Sequence, residues 1–380
     1  MKVLLILPSC PCEENKNGIN KIVYNHIKNS DDIEYDYVYI GEEFCRDCPP
    51  YPIFSNVKST KYIKVKNFSN LRSLFYPGTK EEQISKANSK EIINYINDNS
   101  YNYRALHFFS SRFSLIVDEI KHDNILLSLI DNKEIYYNRK IKKTGLLSSF
   151  FCRYQLKKIS KVYEKISKYN LKYHFVSKLD ARYFTLKYGC PSICIENGVD
   201  IVKNDVVREV NIDKGPTEKL VIFHGNFSYE PNIDAFNEIK RIATNMPEVS
   251  FLIFGRNSLT LDCELQNVNI VGEVEDLNKY LGPGKVYIAP LRLGSGIKNK
   301  VLEAMSFGMV VVGYKSAFDS LGRVKEDHFI VEEHNIEEYI LKALELVSNN
   351  HELAQNITSK IIKNYSWKDK SEKFYQVYNG

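Results

Sequence analysis

Residues 294–308, GSGIKNKVLEAMSFG, place glycines, lysines and a carboxylate in an order that suits anion binding. Gly294 and Gly296 permit backbone conformations that let a ligand approach the main chain. The apolar spacing that follows predicts a helix beginning near Ile297 or Lys298. A helix start presents unpaired N–H groups and the positive end of the helix dipole, and both suit a phosphate.

Two lysines and a glutamate extend this predicted site. Lys298 and Lys300 place cations in the first helical turn, where they are unfavourable for the helix itself unless an anion is bound. Glu303 follows one turn later, where its carboxylate could accept hydrogen bonds from ribose hydroxyls. A surface loop with solvated lysines and an ordinary Lys300–Glu303 helix pair explains the same residues equally well. The segment matches neither the P-loop pattern nor the GxGxxG dinucleotide fingerprint.

The elements around this segment follow an alternating pattern. Short apolar runs alternate with longer amphipathic stretches, as is typical of α/β proteins with parallel sheets. The runs predicted as strands are 3–7, 35–40, 105–109, 125–130, 173–177 and 192–200, then 219–225, 250–255, 268–272, 285–290 and 309–314. Helices are predicted over 19–29, 81–97, 147–168 and 231–244, and from 336 onward.

The polar residues 201–218 separate the two series and predict a linker, so the fold class is α/β with two doubly wound, Rossmann-like domains. The boundaries are 1–200 for the first domain, 201–360 for the second and 361–380 for a C-terminal helix. Ligands of such sheets bind beyond the carboxyl ends of the strands, and the cleft between two facing domains is the expected active site. The glycine–lysine segment follows the strand 285–290 and would line that cleft.

Composition and charge narrow the class of protein. Of the 380 residues, 43% are apolar and 26% charged, which is ordinary for a globular protein, and no apolar run is long enough to span a membrane. The apolar core of the first residues, 3–7, is shorter than that of a signal peptide, which predicts a cytoplasmic protein. Basic residues exceed acidic ones by ten in residues 1–198, whereas acidic residues are in excess by five in the remainder. The opposite net charges of these two parts of the chain suggest two domains with different partners.

The eight cysteines carry two open interpretations. Cys10, Cys12, Cys45 and Cys48 could in principle form a four-thiolate metal site, although the first pair is too close for the usual zinc knuckle. Free thiols are the commoner outcome in a reduced compartment, and disulfides are not expected there.

Four stretches resemble the retaining GT-B glycosyltransferases of glycosyltransferase family 4. The donor-binding signature of that family resembles residues 289–313, APLRLGSGIKNKVLEAMSFGMVVVG. The segments SICIENGVD (192–200), FHGNFSYEPNIDAF (223–236) and YSWKDK (365–370) agree in order and position. The resemblance covers residues 171–370 well and the earlier residues weakly. It implies a GT-B fold and transfer of a sugar from a nucleotide-diphosphate sugar.

The resemblance also implies roles for residues of the second domain. Glu303 matches the second of two paired glutamates and would bind the ribose, but Ser295 stands where the first is expected. The main-chain N–H groups of Gly296 and Ile297 would bind the sugar or the diphosphate. Many members use an Arg and a Lys just after the first strand of this domain. The uncharged residues at those places are Asn226 and Pro231.

Lys298 and Lys300 are therefore the expected replacements for the missing cations. Arg256, directly after the strand 250–255, would frame the base or the phosphates, or is an ordinary surface arginine. In the first domain, Gly18 resembles the glycine that admits the diphosphate. His107 matches the strand-end histidine near the donor sugar, although an ordinary hydrogen-bonded histidine is the other interpretation.

Asp131, at the end of the strand 125–130, is a further strand-end carboxylate in the predicted cleft. The resemblance implies retention of anomeric configuration, with the leaving phosphate deprotonating the acceptor hydroxyl and no protein nucleophile. No metal is expected, because the cleft loops of the second domain lack a DxD-type acidic pair.

Residues 139–178 carry twelve Lys or Arg and a single acid, Glu164, around the apolar stretch 145–151, GLLSSFF. A basic amphipathic helix of this kind can lie on an anionic membrane surface, which would suit a polyprenyl-diphosphate-linked acceptor at the inner face of the membrane, as in bacterial surface-polysaccharide assembly. A solvated basic helix whose apolar side faces the core is an equally good interpretation.

Two alternative functions are also compatible with the sequence. A sugar-nucleotide 2-epimerase shares the two-domain architecture, although the NGVD and GSGIKNKVLEAM segments favour the transferase. A non-catalytic protein that binds nucleic acid through the basic first half is the other, but no helix-turn-helix pattern or aromatic platform accompanies the charge.

Overall fold

The structure is a computed structural model that describes residues 1–11, 18–41, 54–65, 86–200, 219–322 and 326–380. The chain divides into two compact units. Unit 1 comprises Met1–Gly198 together with Trp367–Gly380, and unit 2 comprises Val199–Ser366.

Unit 1 contains a seven-stranded parallel sheet with the order β3-β2-β1-β4-β5-β6-β7. Its strands are β1 (Lys2–Leu7), β2 (Glu34–Gly41), β3 (Val57–Lys64), β4 (Ala105–Phe109), β5 (Ile125–Ile130), β6 (Lys172–Phe175) and β7 (Ser192–Cys194). The central strands are buried along almost their whole length, as in β1, where every residue after Lys2 is buried. Continuous apolar strands of this kind are expected where helices cover both faces of a parallel sheet.

The helices of unit 1 begin and end at recognisable signals. They are α1 (Gly18–Lys28), α2 (Lys86–Asn99), α3 (Lys133–Ile141), α4 (Leu146–Ile166) and α5 (Lys178–Tyr188), with short 3-10 turns at Ser100–Asn102, Ser111–Phe113 and Val117–Glu119. Helix α5 begins after Ser177, whose hydroxyl accepts from the Asp180 N–H. It ends at Gly189, whose φ of 70° gives the left-handed cap that glycine adopts without strain.

Unit 2 contains a six-stranded parallel sheet with the order β10-β9-β8-β11-β12-β13. Its strands are β8 (Leu220–His224), β9 (Ser250–Phe254), β10 (Val268–Gly272), β11 (Val286–Ala289), β12 (Val310–Tyr314) and β13 (Phe329–Val331). Its helices are α6 (Glu230–Asn245), α7 (Asn299–Ser306), α8 (Lys315–Phe318), α9 (Ile336–Asn349) and α10 (His351–Tyr365), with 3-10 turns at Ser258–Thr260 and Leu277–Lys279. The last helix of the chain, α11 (Trp367–Asn379), belongs to unit 1.

The prediction of two parallel-sheet, Rossmann-like units is confirmed, and each strand predicted from the sequence is present. The strands β3 and β13 and the helices α3 and α5 were not predicted. The residues from 336 onward were predicted to be helical, with a separate C-terminal helix over 361–380. They form α9, α10 and α11, and the last of these begins at Trp367 rather than at residue 361. Among the described residues, no helix is both long and apolar enough to cross a membrane.

Candidate functional site

The loop between β11 and α7 contains the glycine–lysine segment. Gly294 and Gly296 have φ angles of 104° and 68°, in the left-handed region that other residues adopt at a cost. The Lys298 ammonium donates to the carbonyl of Ser295 at 2.7 Å. Ser320 donates to the Gly296 carbonyl at 3.0 Å. These contacts fix a compact loop directly before a helix start.

Helix α7 begins at Asn299, one or two residues later than the sequence predicts. Lys298 is the N-cap residue, and its ammonium cannot accept hydrogen bonds from the unpaired N–H groups of the helix start. Ile297 is buried and anchors the approach to the helix. The start of α7 therefore combines a positive dipole end with two nearby lysines, as an anion site requires.

Lys300 does not extend into solvent but reaches the loop that follows β8. Its ammonium donates to Asn232 Oδ1 at 2.5 Å and lies 4.5 Å from the centre of the Phe223 ring. A Cβ at Gly225 would lie 2.5 Å from the same Nζ atom, so only glycine leaves room for it. These partners are inconsistent with a lysine on a solvated surface loop.

The environment of Lys300 changes its acid–base behaviour. Its pKa is lowered from 10.5 to about 7, chiefly because the surrounding protein removes water from the ammonium group. The Glu303 carboxylate opposes this shift, and the charge of Lys298 adds to it. An ammonium that is costly to charge in the empty protein gains more from an incoming anion than a solvated one.

The carboxylate of Glu303 lies at the carboxyl end of β8. Its Oε2 atom is 3.3 Å from Nε2 of His224, the last residue of that strand. The His224 ring stacks on Phe254 at the end of the neighbouring strand β9, with centroids 5.4 Å apart and an interplanar angle of 12°. Glu303 therefore stands at the strand-end edge of the sheet, one helical turn beyond Lys300.

Two loops meet beside Lys300. Asn232 donates to the Asn226 carbonyl at 2.7 Å, and Asn226 Oδ1 accepts from the Ser228 N–H. The Phe227 N–H donates to the carbonyl of Arg256 in the loop after β9 at 2.8 Å. The side chains of Asn226 and Arg256 are exposed. The structure thus brings Asn226, Arg256 and the α7 residues to one edge of unit 2.

The residues that fix this edge were not predicted from the sequence. Arg292 forms a two-pronged ion pair with Asp234 on α6, at 2.9 and 3.1 Å, and a further contact with Glu238 at 3.2 Å. Tyr314 donates to Glu238 at 2.6 Å. A bidentate arginine pair is rigid as well as strong. The pair attaches the residues before Gly294 to α6. The one sign of it in the sequence is that Arg292 stands within an otherwise apolar stretch.

His107 is placed differently from the expectation. It lies in the middle of β4 rather than at the strand end, and it has no exposed surface. Its Nδ1 and Nε2 atoms contact the hydroxyls of Tyr378 and Ser128, both at 2.6 Å. A side chain with no exposed surface and two hydrogen-bonding protein partners is not accessible to a ligand.

Gly18 and Asp131 also belong to unit 1. Gly18 is the exposed first residue of α1, and the loop before it lies outside the described residues. Asp131 directly follows β5, and Ile130 before it has a φ of 67°, which a β-branched residue adopts only with strain. Strained strand ends of this kind are common at functional sites.

The predicted four-thiolate site lies mostly outside the described residues, which do not include Cys12, Cys45 and Cys48. Cys10 is disulfide-bonded, so the expectation of no disulfides is wrong at this position. The described cysteines 152, 190, 194 and 263 are free. In the part of the chain that the structure describes, no three His, Cys, Asp or Glu side chains are grouped to hold a metal.

The fold is similar to that of several solved glycosyltransferase structures. Over 99% of this chain and 98% of the other, the structure superposes on sucrose-phosphate synthase from Thermosynechococcus elongatus, with a TM-score of 0.73 and 13% sequence identity. A variant of S. aureus TarM in complex with fondaparinux, α-GlcNAc-glycerol and UDP gives a TM-score of 0.66 and 14% identity over 100% of both chains. Anabaena HepE with UDP and glucose gives 0.66 and 10%, over 98% of both. The fold is therefore that of GT-B glycosyltransferase structures.

A family model describes unit 2 more closely. Residues 218–349 match the glycosyl transferases group 1 model. The match includes β8, the glycine–lysine loop and α7, and it ends at the last residue of α9. No curated protein sequence matches the chain.

Proposed function

We propose that the chain is a retaining glycosyltransferase of family 4 that transfers a sugar from a nucleotide-diphosphate sugar to a glycan or lipid-linked acceptor. The observation that carries this proposal is the position of the Lys300 ammonium. It lies against Gly225, directly after the first strand of unit 2, and against Asn232 in the first turn of α6. Family members are expected to place cations for the diphosphate just after that strand. A lysine from α7 thus supplies the charge that Asn226 and Pro231 lack.

The donor's diphosphate is proposed to lie at the start of α7. The N–H groups of Gly296 and Ile297 and the ammonium groups of Lys298 and Lys300 would bind its oxygens. Glu303, one turn further along the helix, would accept hydrogen bonds from the ribose. The UDP in the TarM and HepE structures supports a nucleoside diphosphate as the leaving group.

The chemistry follows from where charge develops. The bond between the anomeric carbon and the diphosphate oxygen breaks, and its electron pair remains on the phosphate. Lys298, Lys300 and the helix dipole stabilise that negative charge as it forms. The acceptor oxygen then bonds to the same face of the anomeric carbon, and its proton passes to the leaving phosphate. In this proposal the protein supplies neither a nucleophile nor a metal.

The acceptor is proposed to be a glycan or a polyprenyl-diphosphate-linked sugar, as in bacterial surface-polysaccharide synthesis. The basic excess of residues 1–198 supports an acceptor that carries phosphate or lies beside anionic lipid. Such an enzyme would work in the cytoplasm, at the inner face of the membrane.

The donor site can be tested by calorimetry of UDP, GDP and pyrophosphate binding to the full chain. Lys300→Ala is expected to weaken binding of the nucleotide and of pyrophosphate alike, by about tenfold or more, because a charge-assisted contact is worth about 1.5–3 kcal/mol. Glu303→Ala is expected to weaken binding of the nucleotide but not of pyrophosphate. Lys219→Ala is a matched control. Lys219 is exposed just before β8, at the amino ends of the strands, whereas the proposed site lies at their carboxyl ends.

The results of these binding measurements distinguish a wrong donor site from a wrong role for Lys300. If no nucleoside diphosphate binds the wild-type chain, the donor site is wrong. If a nucleotide binds and Lys300→Ala behaves like Lys219→Ala, the lysine is not part of the site. For the reaction itself, product NMR with the donor that binds would show the anomeric configuration, and inversion would contradict the retaining mechanism. Loss of all activity in EDTA would contradict the absence of a metal.

A further inference from the structure

The first two turns of α4 expose large apolar side chains. Leu146 and Leu147 are 92% and 90% exposed, Phe150 is 77% exposed and Phe151 54%. Tyr154 continues the same surface one turn later. Single exposed apolar residues are ordinary, but five within nine residues form a continuous patch, and such patches mark interaction sites. We call residues 142–154 the α4 tip.

Most of these side chains point away from the core of unit 1. Helix α4 packs through a different face, whose buried residues are Cys152, Gln155, Lys158, Ile159, Val162, Tyr163 and Ile166. Successive residues turn by about 100° around a helix, so Leu146 and Phe150 lie roughly opposite this buried face, whereas Phe151 lies beside it. The exposed apolar surface is therefore centred on Leu146 and Phe150.

Basic residues surround the patch. Lys142, Lys143 and Arg153 are exposed within the α4 tip, and Lys157 and Lys161 follow on α4. Between residues 139 and 161 the chain has no acidic residue. The one carboxylate of α3, Glu134, is buried and paired with Lys187 at 2.7 Å, so it does not offset this charge.

We infer that the α4 tip docks on an anionic lipid bilayer, with the four Leu and Phe side chains in the acyl boundary and the lysines and Arg153 at the headgroups. An apolar face with a basic rim is the combination that binds such a surface. A second copy of this chain would bring two basic rims together, which like charge disfavours. Nucleic acid would match the charge but leave the apolar side chains in water. A lipid-linked acceptor of the proposed reaction would be met at this surface, but the docking itself rests on unit 1 alone.

Vesicle flotation of the full chain tests the inference. Vesicles of phosphatidylcholine alone are compared with vesicles that contain phosphatidylglycerol as well, at low and high salt. The wild-type chain is expected to float with the anionic vesicles only, and less at high salt. Leu146→Ser/Phe150→Ser is expected to reduce the partition coefficient about tenfold or more, because each side chain loses its burial in lipid. Lys142→Glu/Arg153→Glu should also weaken the partition and should reduce its salt dependence.

A matched control distinguishes binding by the α4 tip from non-specific binding through other exposed apolar residues. Tyr101 and Leu186 are also exposed in unit 1, at 81% and 74%, and lie outside the α4 tip. Tyr101→Ser/Leu186→Ser should bind as the wild type does. Phe150→Trp should give a blue-shifted emission on anionic vesicles, and Leu186→Trp should not.

Three results would overturn the inference. The first is equal partition of the wild type to neutral and anionic vesicles. The second is unchanged partition of Leu146→Ser/Phe150→Ser. The third is a dimer that this variant dissociates, without vesicle binding, which would assign the patch to a second copy. Nucleotide binding measured on the same variants reports on unit 2, so failure of the donor site is distinguished from failure of the α4 tip.

Discussion

The hydroxyl of Tyr378 lies 2.6 Å from Nδ1 of His107, which joins the C-terminal helix α11 to the middle of β4. The two residues are 271 positions apart and both are fully buried. Phe374, one turn earlier on α11, packs against the rings of His26, His107 and His174, with centroid distances of 4.6, 5.3 and 5.0 Å. The last helix of the chain therefore covers a cluster of three histidines.

A single backbone carbonyl determines which ring nitrogen of each histidine carries the proton. Nε2 of His174 lies 2.9 Å from the Ile195 carbonyl, which can only accept, so that nitrogen carries the proton. Nδ1 of neutral His174 must then accept from Ser128, at 2.7 Å. The Ser128 oxygen in turn accepts from Nε2 of His107.

The same direction continues to the C-terminal helix. With its proton on Nε2, His107 accepts from the Tyr378 hydroxyl at Nδ1. The Tyr378 oxygen then accepts from Nε2 of His26, at 2.9 Å. Burial lowers the pKa of all three histidines, which keeps the rings neutral near pH 7, and each hydrogen bond then depends on the orientation of the next.

Tyr378→Phe is expected to reduce the free energy of unfolding of unit 1 by about 1–3 kcal/mol, because it leaves the buried Nδ1 of His107 without a donor. Urea titration followed by circular dichroism measures the change. Tyr375→Phe is the matched control, since Tyr375 lies on the same helix and is 38% exposed. A loss in the control as large as that in Tyr378→Phe would contradict this account.

Stability should fall as the pH falls below about 6.5. Burial lowers the pKa of His26 to about 3 and that of His174 to about 4, and it lowers the pKa of His107 as well. The unfolded chain therefore binds protons that the folded chain rejects, so this stability is present above pH 6.5 and is lost toward pH 4. Each histidine contributes about 2 kcal/mol to the difference between pH 7 and pH 5.

The variant His26→Phe isolates this effect. It should reduce the loss between pH 7 and pH 5 by about 2 kcal/mol, measured by urea titration at both pH values. The ionisable groups near the cluster are Tyr35 and Tyr378, which stay neutral in this range, and Glu196, which favours the charged form of His174. His328 in unit 2 has a lowered pKa too, but it is present in both proteins and cancels. An unchanged pH dependence would show that the cluster does not titrate on unfolding.

Gly198→Ala should disrupt the docking of α11. A Cβ at Gly198 would lie 2.5 Å from Trp367 Cδ2 and 2.8 Å from its Cα, so the backbone would have to move. A loss of about 1–3 kcal/mol is expected from such overpacking. Trp367 is the only tryptophan of the chain, so its fluorescence reports the change directly. Gly145→Ala is the control for the fluorescence, because a Cβ there meets nothing within 4 Å, and it should leave the emission unchanged.

Binding of a diphosphate should be accompanied by proton uptake. With a pKa of about 7, Lys300 is largely neutral at pH 8 in the free protein, and a bound anion favours its charged form. Affinity for UDP should therefore fall as the pH rises from 7 to 9, and calorimetry at pH 8 in buffers of different ionisation enthalpy should show uptake of up to one proton. Lys300→Ala should abolish this uptake. Proton-neutral binding by the wild type would place the diphosphate away from Lys300.

The sequence by itself determined the sheets, because a strand buried on both faces must be apolar throughout. The runs at β1, β8 and β12 are of this kind and were found from the pattern alone. Strand β3 was missed, since it lies at the sheet edge and only Val57 and Ile63 are buried among exposed residues. The order glycine, lysine, glutamate also indicated an anion site, because those residue types in that order suit a phosphate wherever the segment lies.

Tertiary structure decided which surroundings each side chain meets. Lys300 could have been solvated, and only the position of Asn232 and Phe223 shows that it is not. His107 was expected at a ligand, but a helix from the other end of the chain covers it. The apolar residues of the α4 tip could equally have been core, because periodicity defines a face but not its direction. In each case the deciding contact is distant in sequence, and local spacing carries no information about it.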